Sequence, residues 1–223
     1  MLWIVISLFL CWLAYREFRS TRAVPLDMPI TKAVSKPYVA TVLILAAASA
    51  WQPISVWRLE HYLSLKATEL ADGHVARLHC NTIVDTMFDQ NLAIGHANPV
   101  TGAIVFQYPW CGTLKAYMRH PQRADHDELE SLDMLTHESM HVRGEYNEAV
   151  TECEAVQRNY RTARMLGVAD GVARRNALDF YYGIYETRAY KEDGPPDRYY
   201  SEECAPGRAL DEHLSDSSWP HRR

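Results

Sequence analysis

Beyond residue 57 the chain has no basic excess: 18 Lys and Arg stand against 26 Asp and Glu. Nucleic-acid backbones are held by basic surfaces, so nucleic acid is excluded as a partner class. There is no phosphate-cradling glycine loop, no Gly-x-Ser-x-Gly nucleophile motif and no internal repeat. No two cysteines stand in Cys-x-x-Cys spacing, which leaves a cysteine-based zinc site without support. Charge is missing altogether from residues 38–57.

That uncharged stretch, Tyr38 to Trp57, is twenty residues, the length a membrane-spanning helix requires. Trp51 and Trp57 near its end suit the membrane interface. Leu2 to Tyr15 is also uncharged, but as a helix it covers only about 21 Å of a ~30 Å hydrocarbon core. It either spans a thinned bilayer or lies partly in the interface. Between the two segments Arg16, Arg19, Arg22, Lys32 and Lys36 outnumber Glu17 and Asp27, so the positive-inside rule makes that loop cytoplasmic. An alternative treats residues 29–50 as a signal peptide cleaved at Ala48-Ser49-Ala50. The apolar run continues through Val56, which favours an uncleaved anchor over residues 1–57. Either way, residues 58–223 form one extracytoplasmic domain.

Cysteine usage points to the same compartment. Cys80, Cys111, Cys153 and Cys204 all fall in the exported portion, an even set that suggests two disulfides with three connectivities open. Sequential pairing, Cys80 with Cys111 and Cys153 with Cys204, is the expectation.

The most specific signal is His137-Glu138-Ser139-Met140-His141. Residues i and i+4 share a helix face, so His137 and His141 can bind one zinc ion together. Glu138, beside that face, can take a proton from water activated by the metal. Gly144 suits the end of that helix and Asn147 the start of the next. The second helix then presents Glu148 and Glu152 at i and i+4 toward the histidines. A catalytic zinc takes three protein ligands and keeps one open position. Glu148 supplies the third ligand, and Glu152 orients a ligand histidine through its other ring nitrogen. Without metal, the same residues would make a polar helix over a stripe of Leu132, Leu135 and Val142, flanked by an acidic face.

The His-Glu-x-x-His run followed by Asn147-Glu148-Ala149-x-Thr151-Glu152 resembles the gluzincin clan of zinc peptidases. In thermolysin-like members an Asn-Glu-Ala-x-Ser-Asp segment gives the third ligand and a supporting carboxylate. Here Thr151 stands for that Ser and Glu152 for that Asp. The spacing departs from thermolysin, since Glu148 follows His141 by only seven residues. Gly144 instead resembles the glycine of metzincins, whose third ligand would fall on Asn147, a poor zinc ligand; Glu148 is therefore retained. The chain is also similar to small bacterial envelope proteins of this pattern.

The resemblance implies a zincin-like, mainly helical α+β domain with a short β-hairpin, behind one or two transmembrane helices. It implies a membrane-anchored zinc metallopeptidase acting on peptide or protein substrates outside the cytoplasm. A cell-wall peptide amidase using the same groups, and a non-catalytic envelope protein with structural zinc, remain open.

Along the domain, helices are expected at Trp57–Ala71, 75–88, Pro109–Tyr117, from an Asp125 or Asp127 cap to Val142, at Glu148–Leu166 and at Gly171–Lys191. Strands are expected at Asn91–Gly95 and Ala103–Tyr108. The tail reads as irregular. His120 and His126 flank the motif helix, and Tyr181, Tyr182 and Tyr185 are tyrosines that could serve as an oxyanion donor. The two histidines read more simply as surface or core residues, and at least two of the tyrosines as aromatic packing.

Overall fold

The computed structural model of the chain describes residues 2–22, 34–91, 93–189 and 197–219. The chain divides into two compact units, Met1–Leu59 and Glu60–Arg223. In the first, helix α1 (Leu2–Arg22) packs on the early part of α2 (Lys36–Leu70) through Ala14, Val39 and Val42. Ser7 Oγ donates to the Ala46 carbonyl across this contact at 3.0 Å. Outward stand Trp3, Leu8, Trp12, Ile44, Trp51 and Trp57, all exposed. By length and composition α2 could cross a membrane. It passes through Ala48-Ser49-Ala50 without a break. The expected cytoplasmic loop falls largely on residues 23–33, and the start of the alternative signal peptide on 29–33, outside the described residues.

The second unit is mainly helical α+β. Its sheet has the order β1-β3-β2, with β1 (Arg77–Cys80) parallel and β2 (Gly95–Asn98) antiparallel to β3 (Ala103–Phe106). The expected helix over 75–88 is divided instead into β1 and a one-turn helix, α3 (Ile83–Phe88). The end of α2 explains the strand: Thr68 Oγ1 accepts from the Ala76 amide and Ser64 Oγ from the Leu78 amide, at 2.9 and 2.8 Å. Leu78 and Cys80 face inward while Arg77 and His79 face solvent, the period-2 pattern of a half-buried strand.

The first hairpin strand also begins later than expected, at Gly95. Asp89 and Asn91 spend their side chains on the amides of Asn91 and Ala93, which makes turns where extended backbone was expected. Asn98 accepts from the Val100 and Thr101 amides and shapes the β2–β3 turn. Gly102 completes it with φ +70, where a Cβ would stand 1.9 Å from the Val75 carbonyl oxygen.

Helix α4 (Trp110–Arg119) leads to α5 (His126–Arg143), which starts with a capping box between Asp125 and Glu128. Every residue from Ser131 to Met140 is buried, so α5 is the axis of the unit. It lies between the sheet and α6 (Glu148–Met165), with Leu132, Leu135, Met140, Ala155 and Val156 in the core. Thr136 Oγ1 donates to Thr162 Oγ1 across the α5–α6 contact at 2.9 Å.

The helix expected over 171–191 ends early: α7 (Asp170–Phe180) widens into a π turn at Tyr181–Tyr185 and a 3₁₀ turn at Glu186–Ala189. Residues 190–196 lie outside the described residues. The tail from 197 to 219 has neither helix nor strand. Disulfides join Cys80 to Cys111 and Cys153 to Cys204, the sequential pairing.

Candidate metal centre

Helix α5 carries His137 and His141 one turn apart, on a segment buried except at its ends. Gly144 then takes φ +121, and its amide donates to the Met140 and His141 carbonyls. The next turn is held by Glu145, whose side chain accepts from the Tyr146 and Asn147 amides. Asn147 caps α6 by accepting from Ala149 and Val150. This reversal brings the first turn of α6 back over the histidines.

His137, His141 and Glu148 thereby offer three ligand atoms within 4.8 Å of one another. Glu148 Oε2 lies 3.2 Å from His137 Nε2 and 3.4 Å from His141 Nε2. The other ring nitrogens face away from this point. His137 Nδ1 lies 2.8 Å from Glu152 Oε2, and His141 Nδ1 2.8 Å from the Glu145 carbonyl. Both imidazoles are therefore oriented with Nε2 toward Glu148. The second Glu152 oxygen takes the Arg188 guanidinium, which also reaches Glu130 at 3.5 Å. Asn159 donates to the neighbouring buried Asp133 at 2.6 Å.

The charges follow from this packing. Burial opposes protonation of His137, but hydrogen bonds to Glu148 and Glu152 outweigh it and hold its pKa well above the ordinary value. Hydrogen bonds from His137 and His141 push the Glu148 carboxyl far below the usual carboxylate range. Burial would raise Glu152, yet its bonds to His137 and Arg188 keep it low. Two imidazoles and a carboxylate converge on one point, and these three residues could hold a metal ion.

Glu138 is placed differently. It is buried beside the cluster, its Oε2 has no hydrogen-bond partner, and burial pushes its carboxyl up to about 7. Gly95 of β2 covers it so closely that a Cβ there would stand 3.3 Å from Glu138 Oε1 and 2.6 Å from Met134 Sδ.

His137 and Glu138 both line two adjoining hollows of about 380 and 370 Å³. Ala93, Gly95, Arg198 and Tyr199 border both. One wall is thus β2, an edge strand of the sheet. The pairing with β3 turns the peptide groups of Gly95 and Ala97 away from β3. The opposite wall is tail, where the Tyr199 ring stands edge-on to His137 at 5.6 Å.

Sequence reasoning missed Gly95, Arg188, Arg198 and Tyr199. None sits in a motif, and the last three come from the segment after α7. The other residues considered from sequence lie elsewhere. His120 and His126 are exposed and border neither hollow. Tyr181 and Tyr185 stack on each other inside the unit, and Tyr182 stands exposed against Tyr181. No protein-family profile, curated protein or solved structure matches this chain.

Proposed function

We propose that the chain is a membrane-anchored zinc metallopeptidase that hydrolyses peptide bonds outside the cytoplasm. The observation that carries this reading is Glu138: a buried carboxylate, unpaired at Oε2, beside a three-donor cation site and facing a cleft. A metal held only for structure has no use for such a group. The donor set fits zinc, which takes His, His and Glu with one position left open. Zinc held there would supply Lewis acidity, polarising the scissile carbonyl and lowering the pKa of water.

The chain's own residues do the rest. His137, His141 and Glu148 hold the ion, and Glu152 locks the His137 ring. Glu138 accepts a proton from the attacking water and passes it to the leaving amine nitrogen, a transfer suited to a carboxyl with a pKa near neutrality. The free edge of β2 can pair with an extended peptide and lay it across the cleft. The Arg198 guanidinium and the Tyr199 hydroxyl are donors on hand for the carbonyl oxygen. Two disulfides and the apolar α2 support an anchored domain in an oxidising, extracytoplasmic compartment.

The test is metal content and cleavage of a mixed peptide library by the purified full chain with added zinc. One zinc per chain and metal-dependent cleavage are expected, both lost in His137→Ala. Tightly bound zinc with no cleavage of any peptide would make the metal structural and refute the peptidase reading.

A further inference from the structure

Helix α3 buries none of its residues. Ile83, Val84, Met87 and Phe88 all point outward, Phe88 at 81% exposure and Met87 at 76%. Tyr108, also exposed, lies beside the helix, its amide donating to Thr86 Oγ1 at 2.8 Å. The one charge within the helix, Asp85, is turned back into a capping box with Thr82. Four large apolar side chains therefore form one uncovered helix face.

The position of α3 in the chain says what covers this face. Glu60 comes three residues after Trp57, where the uncharged stretch of α2 ends, a rise of about 4.5 Å along the helix. Glu60 Oε1 accepts from the Cys80 amide at 2.9 Å and lies 2.8 Å from His79 Nδ1. Ile83 follows Cys80 by three residues, at most about 11 Å of chain. The residue that leaves the apolar span is thus hydrogen-bonded to the strand end from which α3 starts. By chain length alone, α3 starts within reach of the end of that span. Tethering also removes the need for high intrinsic affinity, because the second contact is intramolecular in effect.

We infer that α3 and Tyr108 form a second membrane contact, inserting Ile83, Val84, Met87 and Phe88 into the interface of the bilayer that α2 crosses. Amphipathic segments bury their apolar face about 5–10 Å into the headgroup boundary, and aromatic residues such as Tyr108 collect there. Through Asn91, Ala93 and Ile94 the same helix leads directly into the β2 wall of the cleft. The docked helix would hold that wall close to the lipid, where membrane-proximal chains are met. The inference rests on α2 crossing the bilayer and not on any catalytic activity.

The test places photoreactive benzoylphenylalanine singly at positions 88, 100 and 44 of the full chain in phosphatidylcholine vesicles. Val100, 88% exposed on the β2–β3 turn, is the solvent control, and Ile44, 68% exposed on α2, reports the span. Irradiation should give lipid adducts at 44 and at 88, with position 88 exceeding position 100 by at least about fivefold. Adducts at 44 with position 88 no higher than 100 would overturn the α3 contact alone. Cross-linked dimers from position 88 in place of lipid adducts would assign the face to a second copy and overturn it too. No adduct at 44 would show that α2 does not span, and the proposal would fall with that reading.

Discussion

Glu152 Oε2 and His137 Nδ1 share a buried contact of 2.8 Å, while the other Glu152 oxygen is held by Arg188. The carboxylate therefore ties a candidate metal ligand on α5 to a cation in the 3₁₀ turn that follows α7. It can accept the Nδ1 proton, so that Nε2 is the ring nitrogen left to face a metal ion beside Glu148. Amide substitution breaks this arrangement, since a Gln side chain can present its NH₂ to Nδ1 and favours the other tautomer.

Glu152→Gln should therefore weaken zinc binding about 10–100-fold, the usual effect of losing a carboxylate behind a ligand histidine. Competition with a chromogenic chelator measures it directly. Equal affinity in parent and variant would mean that the contact does not set the His137 tautomer.

Glu138→Gln should leave zinc stoichiometry unchanged and lower peptide turnover about 10²–10⁴-fold, the range of a general-base contribution. His141→Ala should lose metal and turnover together. A Glu138→Gln protein that cleaves as fast as the parent would remove Glu138 from the reaction.

The local part of this site was legible in the sequence because it is built from contiguous signals. The i, i+4 histidines, Gly144 as helix stop, Asn147 as cap and Glu148 one residue later are all set by neighbours a few positions away. The α5 cap, read as Asp125 or Asp127 and found at Asp125, and the even set of four cysteines beyond residue 57 were readable for similar reasons. Arg188, Arg198 and Tyr199 were not, because only the π turn after α7 and the packing of the tail carry them to His137. Strands β1 and β2 were read poorly for a different reason. Strand β1 has four residues, too few for its alternation to outweigh a helical pattern across 75–88, and its side-chain partners Glu60 and Ser64 lie on α2. The side chains of Asp89 and Asn91 make local turns that delay β2 until Gly95.

Glu138 also sets a pH dependence of stability in the metal-free chain. Its carboxyl is raised from 4.5 to about 7, with burial as the main cause. Between those values the folded state keeps a proton that the unfolded state has released. Stability is therefore greatest below about pH 4.5 in this component and falls as pH rises through 7, by about 3 kcal/mol in all. Glu138→Gln has no such proton to lose. With chelator present, melting temperatures in detergent should show the variant gaining on the parent from pH 4.5 to 7 and holding a constant lead above it. Parallel curves would show that Glu138 titrates normally.

Gly95 tests whether β2 and α5 enclose the reacting groups as tightly as the geometry states. A Cβ there meets Met134 Sδ at 2.6 Å and Glu138 Oε1 at 3.3 Å. Met134 can swing aside, being long and flexible, whereas the buried Glu138 carboxyl can shift only toward the hollows it lines. Gly95→Ala should therefore be tolerated with partial loss of turnover. Gly95→Val adds two methyls and forces overpacking, with a stability cost of about 1–3 kcal/mol. Neither variant touches His137, His141 or Glu148, so both should bind one zinc per chain. Turnover should decline from Gly95 through Ala to Val as the wall closes on Glu138 and the peptide path. The measurements are metal content, melting temperature and peptide cleavage on the same preparations. A Val variant with parental melting temperature and parental cleavage would show that β2 does not press on Glu138, and the edge strand would no longer define the substrate path.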